Sequence, residues 1–287
     1  MHSIILQAPG LDSSLTEQAA RLAGARRIEK CGANMARLLD FAATPPREEV
    51  RALCEEVRAL CEAAGADCAF LAAPLRLADF RLAVMDMDST LITIECIDEI
   101  ADMQGLKPQV AAITEATMRG ELDFRQSLAR RVALLKDLEV SALQRVYDER
   151  LRLSPGAEQM LAGFKAAGVK TLLVSGGFSF FTDKLKGRLG LDYTAANTLG
   201  IGNGRLTGVV EGPVIDADAK AAKLRETCAL LGCEPRQAIA IGDGANDLKM
   251  MGAAGLSVAY HAKPVVRAQA SVAINHNGLD ALLALFD

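Results

Sequence analysis

The stretch Leu82-Ala-Val-Met-Asp86-Met-Asp88-Ser-Thr90 decides the fold. Four apolar residues in a row read as a strand buried on both faces, and such a strand belongs in a parallel sheet covered by helices on each side. The run stops at two aspartates two residues apart. In an extended chain both carboxylates lie on one side, at the carboxyl end of the strand, where open α/β sheets bind their ligands. Paired acids there can hold a cation, or one can attack phosphorus while its neighbour moves protons. An EF-hand is excluded, because Leu91 stands at the sixth position from Asp86 and Ile97 at the twelfth.

Two further strand ends carry chemistry. A strand over 170–174 runs into Ser175-Gly176-Gly177, where a hydroxyl and glycine-exposed N–H groups form a cradle for phosphate oxygens. A strand over 238–241 runs into Gly242-Asp243-Gly244-Ala245-Asn246-Asp247, whose hard oxygen donors suit Mg²⁺. Short apolar runs at 256–259 and 272–274 extend the same pattern, and Gly202-Asn203-Gly204 between apolar residues marks a hairpin. Ser154 and Pro155 open a helix that Gly168 closes. The fold class is therefore α/β, a doubly wound Rossmann-like parallel sheet over residues 76–287.

The interval from about 95 to 151 is far longer than a strand-to-helix connection needs, and it is patterned as helices. Cys96, Ile97, Ile100 and Ala101 form one stripe, and Phe124, Leu128, Val132 and Leu135 another. Placed directly after the first strand, this helical-bundle insert sits beside the ligand-binding edge as a cap. Before it, residues 1–75 read as a smaller α+β unit of order β-α-β-β-α-β: strands at 3–7, 27–30, 35–42 and 68–72, with helices at 15–23 and from beyond Pro45-Pro46 to Gly65.

Composition narrows the function. With 51% hydrophobic and 24% charged residues over 287 positions, the chain is globular and long enough for about two domains. A net charge of −4 gives no basic field for nucleic acid or anionic lipid, so the expected partner is a small molecule. No apolar stretch of membrane-spanning length and no basic leader is present, and seven cysteines without a Cys-x-x-Cys read as reduced thiols. The expected location is the cytoplasm. His2, His261 and His276 have no ligand spacing, which leaves the chemistry to carboxylates.

The ordered set Asp86-x-Asp88-x-Thr90, Ser175, Lys220 and Gly242-Asp243-x-x-x-Asp247 resembles the haloacid dehalogenase superfamily of aspartate-nucleophile phosphatases. Glu95-Cys-Ile-Asp-Glu-Ile-Ala, the run from Leu122 to Val132 and Val174-Ser-Gly-Gly-Phe further resemble its phosphoserine phosphatase family. The first 75 residues are similar in topology to ACT-type modules, which implies an effector site, packing or a homodimer contact.

The resemblance implies Asp86 as nucleophile, Asp88 as acid and base, and Lys220 as the cation that stabilises Asp86 and the phosphoryl group, with Lys223 as the alternative lysine. It implies Mg²⁺ on Asp86, the Asp88 carbonyl and Asp243, with Asp247 behind them. Ser175, Gly176, Gly177 and Asn246 would hold phosphate oxygens; Glu95 would take an ammonium and Arg131 a carboxylate, beside an apolar wall of Met118 and Phe124. Phosphoserine is the implied substrate, with phosphohomoserine or phosphothreonine as alternatives. A receiver-type signalling module is the rival of another class, and Asp88 and the cap have no role in it.

Overall fold

The computed structural model describes residues 2–41 and 47–287, without the side chains of residues 47–51 and 118. Strands Ser3–Gln7 (β1), Ala25–Lys30 (β2), Met35–Phe41 (β3) and Asp67–Leu71 (β4) form an antiparallel sheet in the order β2-β3-β1-β4. Helix Ser13–Ala23 (α1) follows β1, and helix Arg47–Ala63 (α2) follows β3. Asp12 caps the first turn of α1 by accepting from the Ser14 amide, and Gly24 ends it in the left-handed conformation. The expected β-α-β-β-α-β order is present. Its third strand is described to Phe41, and Ala42, Pro45 and Pro46 lie outside the described residues.

Strand alternation explains how this sheet is covered. Ile4 and Leu6 pack with Leu15 and Ala19 of α1 and Val57 and Cys61 of α2, while Ile5, Ala69 and Leu71 join the main core of the chain. The second face is sealed by residues 275–287. Buried Asp67 receives the backbone amides of Asn275 (2.6 Å), His276 (3.2 Å) and Asn277 (3.0 Å), together with the Asn277 side-chain amide (2.7 Å). We expect Asp67→Ala to lower unfolding stability by about 3 kcal/mol, since each donor stranded away from water costs on the order of 1–3 kcal/mol. Urea denaturation would show a lower midpoint at constant slope; an unchanged midpoint would mean this junction does not hold the sheet in place.

The larger sheet is built on Leu82–Met85 (β5). After it come the cap helices Cys96–Asp102 (α3), Lys107–Met118 (α4), Phe124–Ala133 (α5) and Ser141–Arg145 (α6), then Ala157–Ala166 (α7) and Lys170–Phe178 (β6). Ser179–Leu189 (α8), Tyr193–Gly202 (β7), Arg205–Glu211 (β8) and Ala217–Leu230 (α9) follow. The chain ends with Ala238–Gly242 (β9), Leu248–Met251 (α10), Leu256–Tyr260 (β10), Pro264–Arg267 (α11) and Val272–Ile274 (β11).

The seven strands lie in the order β11-β10-β9-β5-β6-β7-β8, parallel except for the β7–β8 hairpin. From β5 the chain winds outward through β6 and β7, then returns to β9 on the other side. This reversal opens a crevice at the carboxyl ends of β5 and β9. All four β5 residues are fully buried because Leu82 and Val84 meet Leu224 and Cys228 of α9, whereas Ala83 and Met85 meet Phe164 and Phe181 of the opposite layer.

The cap leaves and re-enters the sheet through a short ribbon. Thr93 donates to the Arg152 carbonyl and Ser154 to that of Leu91, each at 3.0 Å. Its far end rests on the β7–β8 hairpin, where Leu206 and Asp137 exchange backbone hydrogen bonds with Leu138 and Leu206.

Several ends shift by one or two residues from the sequence reading, α1 starting at Ser13 and β2 at Ala25, and two differences have a local cause. Pro155 does not open α7; its carbonyl accepts from the Leu279 amide, and Gly156, at a φ of 76°, starts the helix. Strand β6 runs on past Val174 to Phe178, because the chain bulges at Ser175–Gly177 and then pairs with β7 again.

Candidate active site

The carboxyl ends of β5, β6 and β9 and the inner face of the cap enclose a cavity of about 410 Å³. Size does not single it out, since grooves of about 390 and 450 Å³ lie elsewhere. Its lining does: Asp86, Asp88, Glu95, Phe124, Arg131, Ser175, Gly176, Gly177, Asp243 and Asn246 all border it. Lys263, Asp98 and Thr114 border it as well, none of which the sequence reading singled out. Among the described residues no histidine lines it.

Asp86 follows β5 directly and its Oδ1 accepts from the Met87 amide at 2.7 Å. Asp88 remains extended, at φ −65° and ψ 136°, which keeps both acids on the cavity side as expected; Ser89 then turns the chain away at a φ of 55°. Asp88 Oδ1 accepts from the Cys96 amide at 3.1 Å, so the first turn of α3 anchors it. This packing requires glycine at 177, since a Cβ there would stand 2.5 Å from Asp88 Oδ2. Gly177 N–H instead donates to Ser175 Oγ at 2.8 Å.

Beneath Asp86 lies Lys220, 1% exposed, whose Nζ is 2.6 Å from Asp86 Oδ2 and 2.7 Å from Asp247 Oδ1. It does not border the cavity, and Asp86 stands between the two. Lys223 points outward and pairs with Glu226 at 2.7 Å. Asp247 accepts from Lys220 and Asn246 with one oxygen, and from the Asp243 and Gly244 amides with the other. With both oxygens engaged by protein donors, it braces the loop. Asp243 accepts from Thr90 Oγ1 at 3.0 Å, and Asn246 Nδ2 donates to Asp86 Oδ2 at 3.3 Å.

Burial drives the electrostatics. Burial, and then the Asp247 charge, push Asp86 well above the ordinary aspartate range against the pull of Lys220. Burial also lifts Asp88 to about 6 and Glu95 to about 7, the latter helped by the Asp88 charge. For Lys220 burial works in the opposite direction, but Asp86 and Asp247 outweigh it and hold the ammonium charged. Asp86, Asp88, Asp243 and Asp247 thus face one buried ammonium, a surplus of negative charge that a cation would relieve. Oxygens of Asp86, Asp243 and Asp247 lie within 4.8 Å of one another, and an all-oxygen set of this kind fits Mg²⁺.

On the cap, Asp123 and Gln126 form a capping box that starts α5, and one turn separates Phe124 from Leu128 and nearly two from Arg131 on the same face. Phe124 packs against Gly176, where a Cβ would come 3.0 Å from its Cζ. The Arg131 Nε is buried without a hydrogen-bond partner, while Glu95 accepts from Ser89 Oγ at 2.7 Å. Arg125 pairs with Asp216 at 2.6 Å, tying the start of α5 to the residue that caps α9. The Met118 side chain lies outside the described residues.

A buried aspartate at a strand end with a buried lysine beneath it, a second acid two residues on and an acidic loop from β9 converge on one cavity. The chain belongs to the haloacid dehalogenase-like hydrolase family, which matches residues 80–255. Residues 4–50 match a domain of unknown function, DUF4072.

Among curated relatives, the phosphoserine phosphatase of Polaromonas sp. is 60% identical over 216 residues, covering 74% of this chain and 92% of that protein. Among solved structures, a probable phosphoserine phosphatase from Vibrio cholerae is 39% identical with a TM-score of 0.83, covering 99% of this chain and 85% of that one. A phospho-aspartyl intermediate analogue of phosphoserine phosphatase is 39% identical with a TM-score of 0.68, covering 72% of this chain and 99% of that one.

Proposed function

We propose that this chain is a Mg²⁺-dependent phosphomonoester hydrolase that converts O-phospho-L-serine to L-serine and phosphate through an aspartyl-phosphate on Asp86, the last step of serine biosynthesis in the cytoplasm. The observation that carries this reading is the placement of a carboxylate, Glu95, and a guanidinium with an unpartnered buried Nε, Arg131, in the same cavity as Asp86. A phosphorylated amino acid offers the matching ammonium and carboxylate. The names of the relatives above support the same substrate.

An Asp86 oxygen attacks phosphorus, and the bond from phosphorus to the serine oxygen breaks. Asp88, raised to about 6 by burial, has access to both protonation states near neutrality. It gives its proton to the departing serine oxygen, which is a poor leaving group as an alkoxide. As a carboxylate it then takes a proton from the water that attacks phosphorus, and the bond to Asp86 breaks to release phosphate. Lys220 stays charged throughout and offsets the charge on Asp86, while Ser175 Oγ–H and the Gly176 amide hold the phosphoryl oxygens. Mg²⁺, with Asp86, the Asp88 carbonyl and Asp243 as its protein ligands, would supply further charge neutralisation between nucleophile and substrate.

Arg131→Ala is expected to cut kcat/KM for phosphoserine by about 10²-fold or more, because a carboxylate deprived of its guanidinium loses a charge-assisted contact in a desolvated pocket. Phosphomonoesters without a carboxylate should lose at most a few-fold. Equal losses across such a panel would remove the substrate assignment and leave a general phosphatase.

For residues 1–75 we propose a separate ferredoxin-like, ACT-like unit with a packing role, supported by the sealing of its second face on residues 275–287. The strand left exposed for a homodimer contact is β2, at the sheet edge.

A further inference from the structure

The phosphate cradle and the lysine helix come from separate parts of the chain, and one side chain outside the cavity joins them. Asn197, in β7, is fully buried. Its Nδ2 donates to the Gly176 carbonyl at 2.7 Å, and its Oδ1 accepts from the Ile215 amide at 2.8 Å. Gly176 presents an acceptor and Ile215 a donor, so a single orientation of the amide satisfies both.

The strand register shows why an amide is needed. Val174 pairs with Ala195 and Phe178 with Asn197, so Ser175, Gly176 and Gly177 stand opposite Ala196 alone and leave the sheet as a bulge. A bulge forfeits its ladder hydrogen bonds, and Asn197 replaces the missing one at Gly176. With that carbonyl held on the β7 side, the following amide, Gly177 N–H, turns to Ser175 Oγ. A hydroxyl that accepts from a backbone N–H keeps its own proton for another acceptor, and Ser175 borders the cavity.

At its other end Asn197 holds the residue before Asp216. Asp216 caps α9 through the Ala219 amide at 3.0 Å, and its carbonyl accepts from the Lys220 amide at 2.9 Å. Lys220, in the first turn of α9, therefore stands at a point set by the same side chain that shapes the cradle.

We propose that Asn197 is a positioning residue for phosphoryl transfer, one that holds the Ser175–Gly177 cradle and the Lys220 helix in a common register. This rests on the phosphatase reading above. It acts through Ser175 and Lys220 and does not border the cavity itself.

The test is a double-mutant cycle on the full chain with phosphoserine. Asn197→Ala, or Asn197→Leu where a near-equal volume is needed for folding, should lower kcat by about a hundredfold, the scale of losing an aligned donor to a developing negative charge. In the Ser175→Ala background the same change should cost only a few-fold, because its route through the hydroxyl is already gone. A purely structural role would lower the melting temperature and multiply the two losses, and multiplicative losses overturn the proposal.

A second measurement needs no variant. Saturating inorganic phosphate should slow hydrogen exchange at the Gly177 and Ile215 amides together; slowing at Gly177 with Ile215 unmoved overturns the link. A wild-type chain that neither hydrolyses phosphoserine nor binds phosphate overturns the phosphatase reading and this inference with it, whereas an active wild type with independent losses overturns this inference alone.

Discussion

Asp86→Asn should lose at least about 10⁴-fold in turnover on every phosphomonoester, because an amide oxygen cannot displace an alkoxide at phosphorus as a carboxylate can. The same substitution should leave the protein as stable as before or more so. Asn keeps the shape, and Asn246 and Lys220 lie close enough to Asp86 Oδ2 to meet an amide oxygen there; the Met87 amide loses its acceptor on Oδ1, a cost that the relief of buried charge offsets. One of the two carboxylates that share the Lys220 ammonium is neutralised, while Lys220 keeps Asp247 at 2.7 Å. Inactivity with an unchanged or raised melting temperature is the expected pair of results. In the wild type, acid quenching during turnover of radiolabelled phosphoserine should leave label on the protein that hydroxylamine removes; in Asp86→Asn no label should remain. Turnover that survives in the variant, or a wild type that never carries label, would eliminate Asp86 as nucleophile.

Lys220→Met should do the opposite to stability and the same to activity. Asp86 and Asp247, 4% and 0% exposed, would lose the ammonium they share, and in the metal-free protein breaking a buried pair in this way costs about 3–5 kcal/mol. Activity should fall by about 10²–10³-fold with the loss of the charge that stabilises the transferring group. The diagnostic comparison is the double variant Lys220→Met/Asp86→Asn. Removing one of the two stranded carboxylates should return part of the lost stability, by about 1–3 kcal/mol, so the two changes are far from additive in urea denaturation. A double variant no more stable than Lys220→Met alone would mean that the ammonium and Asp86 do not depend on one another.

Much of the site was legible because the motif residues follow short apolar runs. The run 82–85 could only be a doubly buried strand, and Asp86 and Asp88 followed it into a loop at a known edge of the sheet. The same logic placed Ser175–Gly177 and Asp243–Asp247, since glycines and acids directly after an apolar run have a single place to be in a parallel sheet. The Asn203-Gly204 turn was equally plain, as both residues take positive φ, 52° and 74°.

Asn197 had no such marker. It lies inside a strand, its two partners are 21 and 18 residues away, and nothing in its local sequence separates it from an ordinary polar strand residue. Lys263 and Asp98 reach the cavity from the β10–α11 connection and from the cap, again by folding rather than by spacing.

The second face of the N-terminal sheet shows the same limit. The run 3–7 read as a strand, but nothing in it showed that Ile5 meets the main core or that Asp67 collects three successive amides more than 200 residues away.

The sequence by itself determined the class of sheet, the order of the motifs and the acids and glycines that stand at the strand ends, because hydrophobic period and turn chemistry are local and act within a few residues. Only the tertiary structure decided which lysine lies under Asp86, which asparagine ties the cradle to the helix, and what covers the first sheet. Those outcomes depend on which distant groups share a buried volume, where an unpaired charge or amide is costly enough to select its partner.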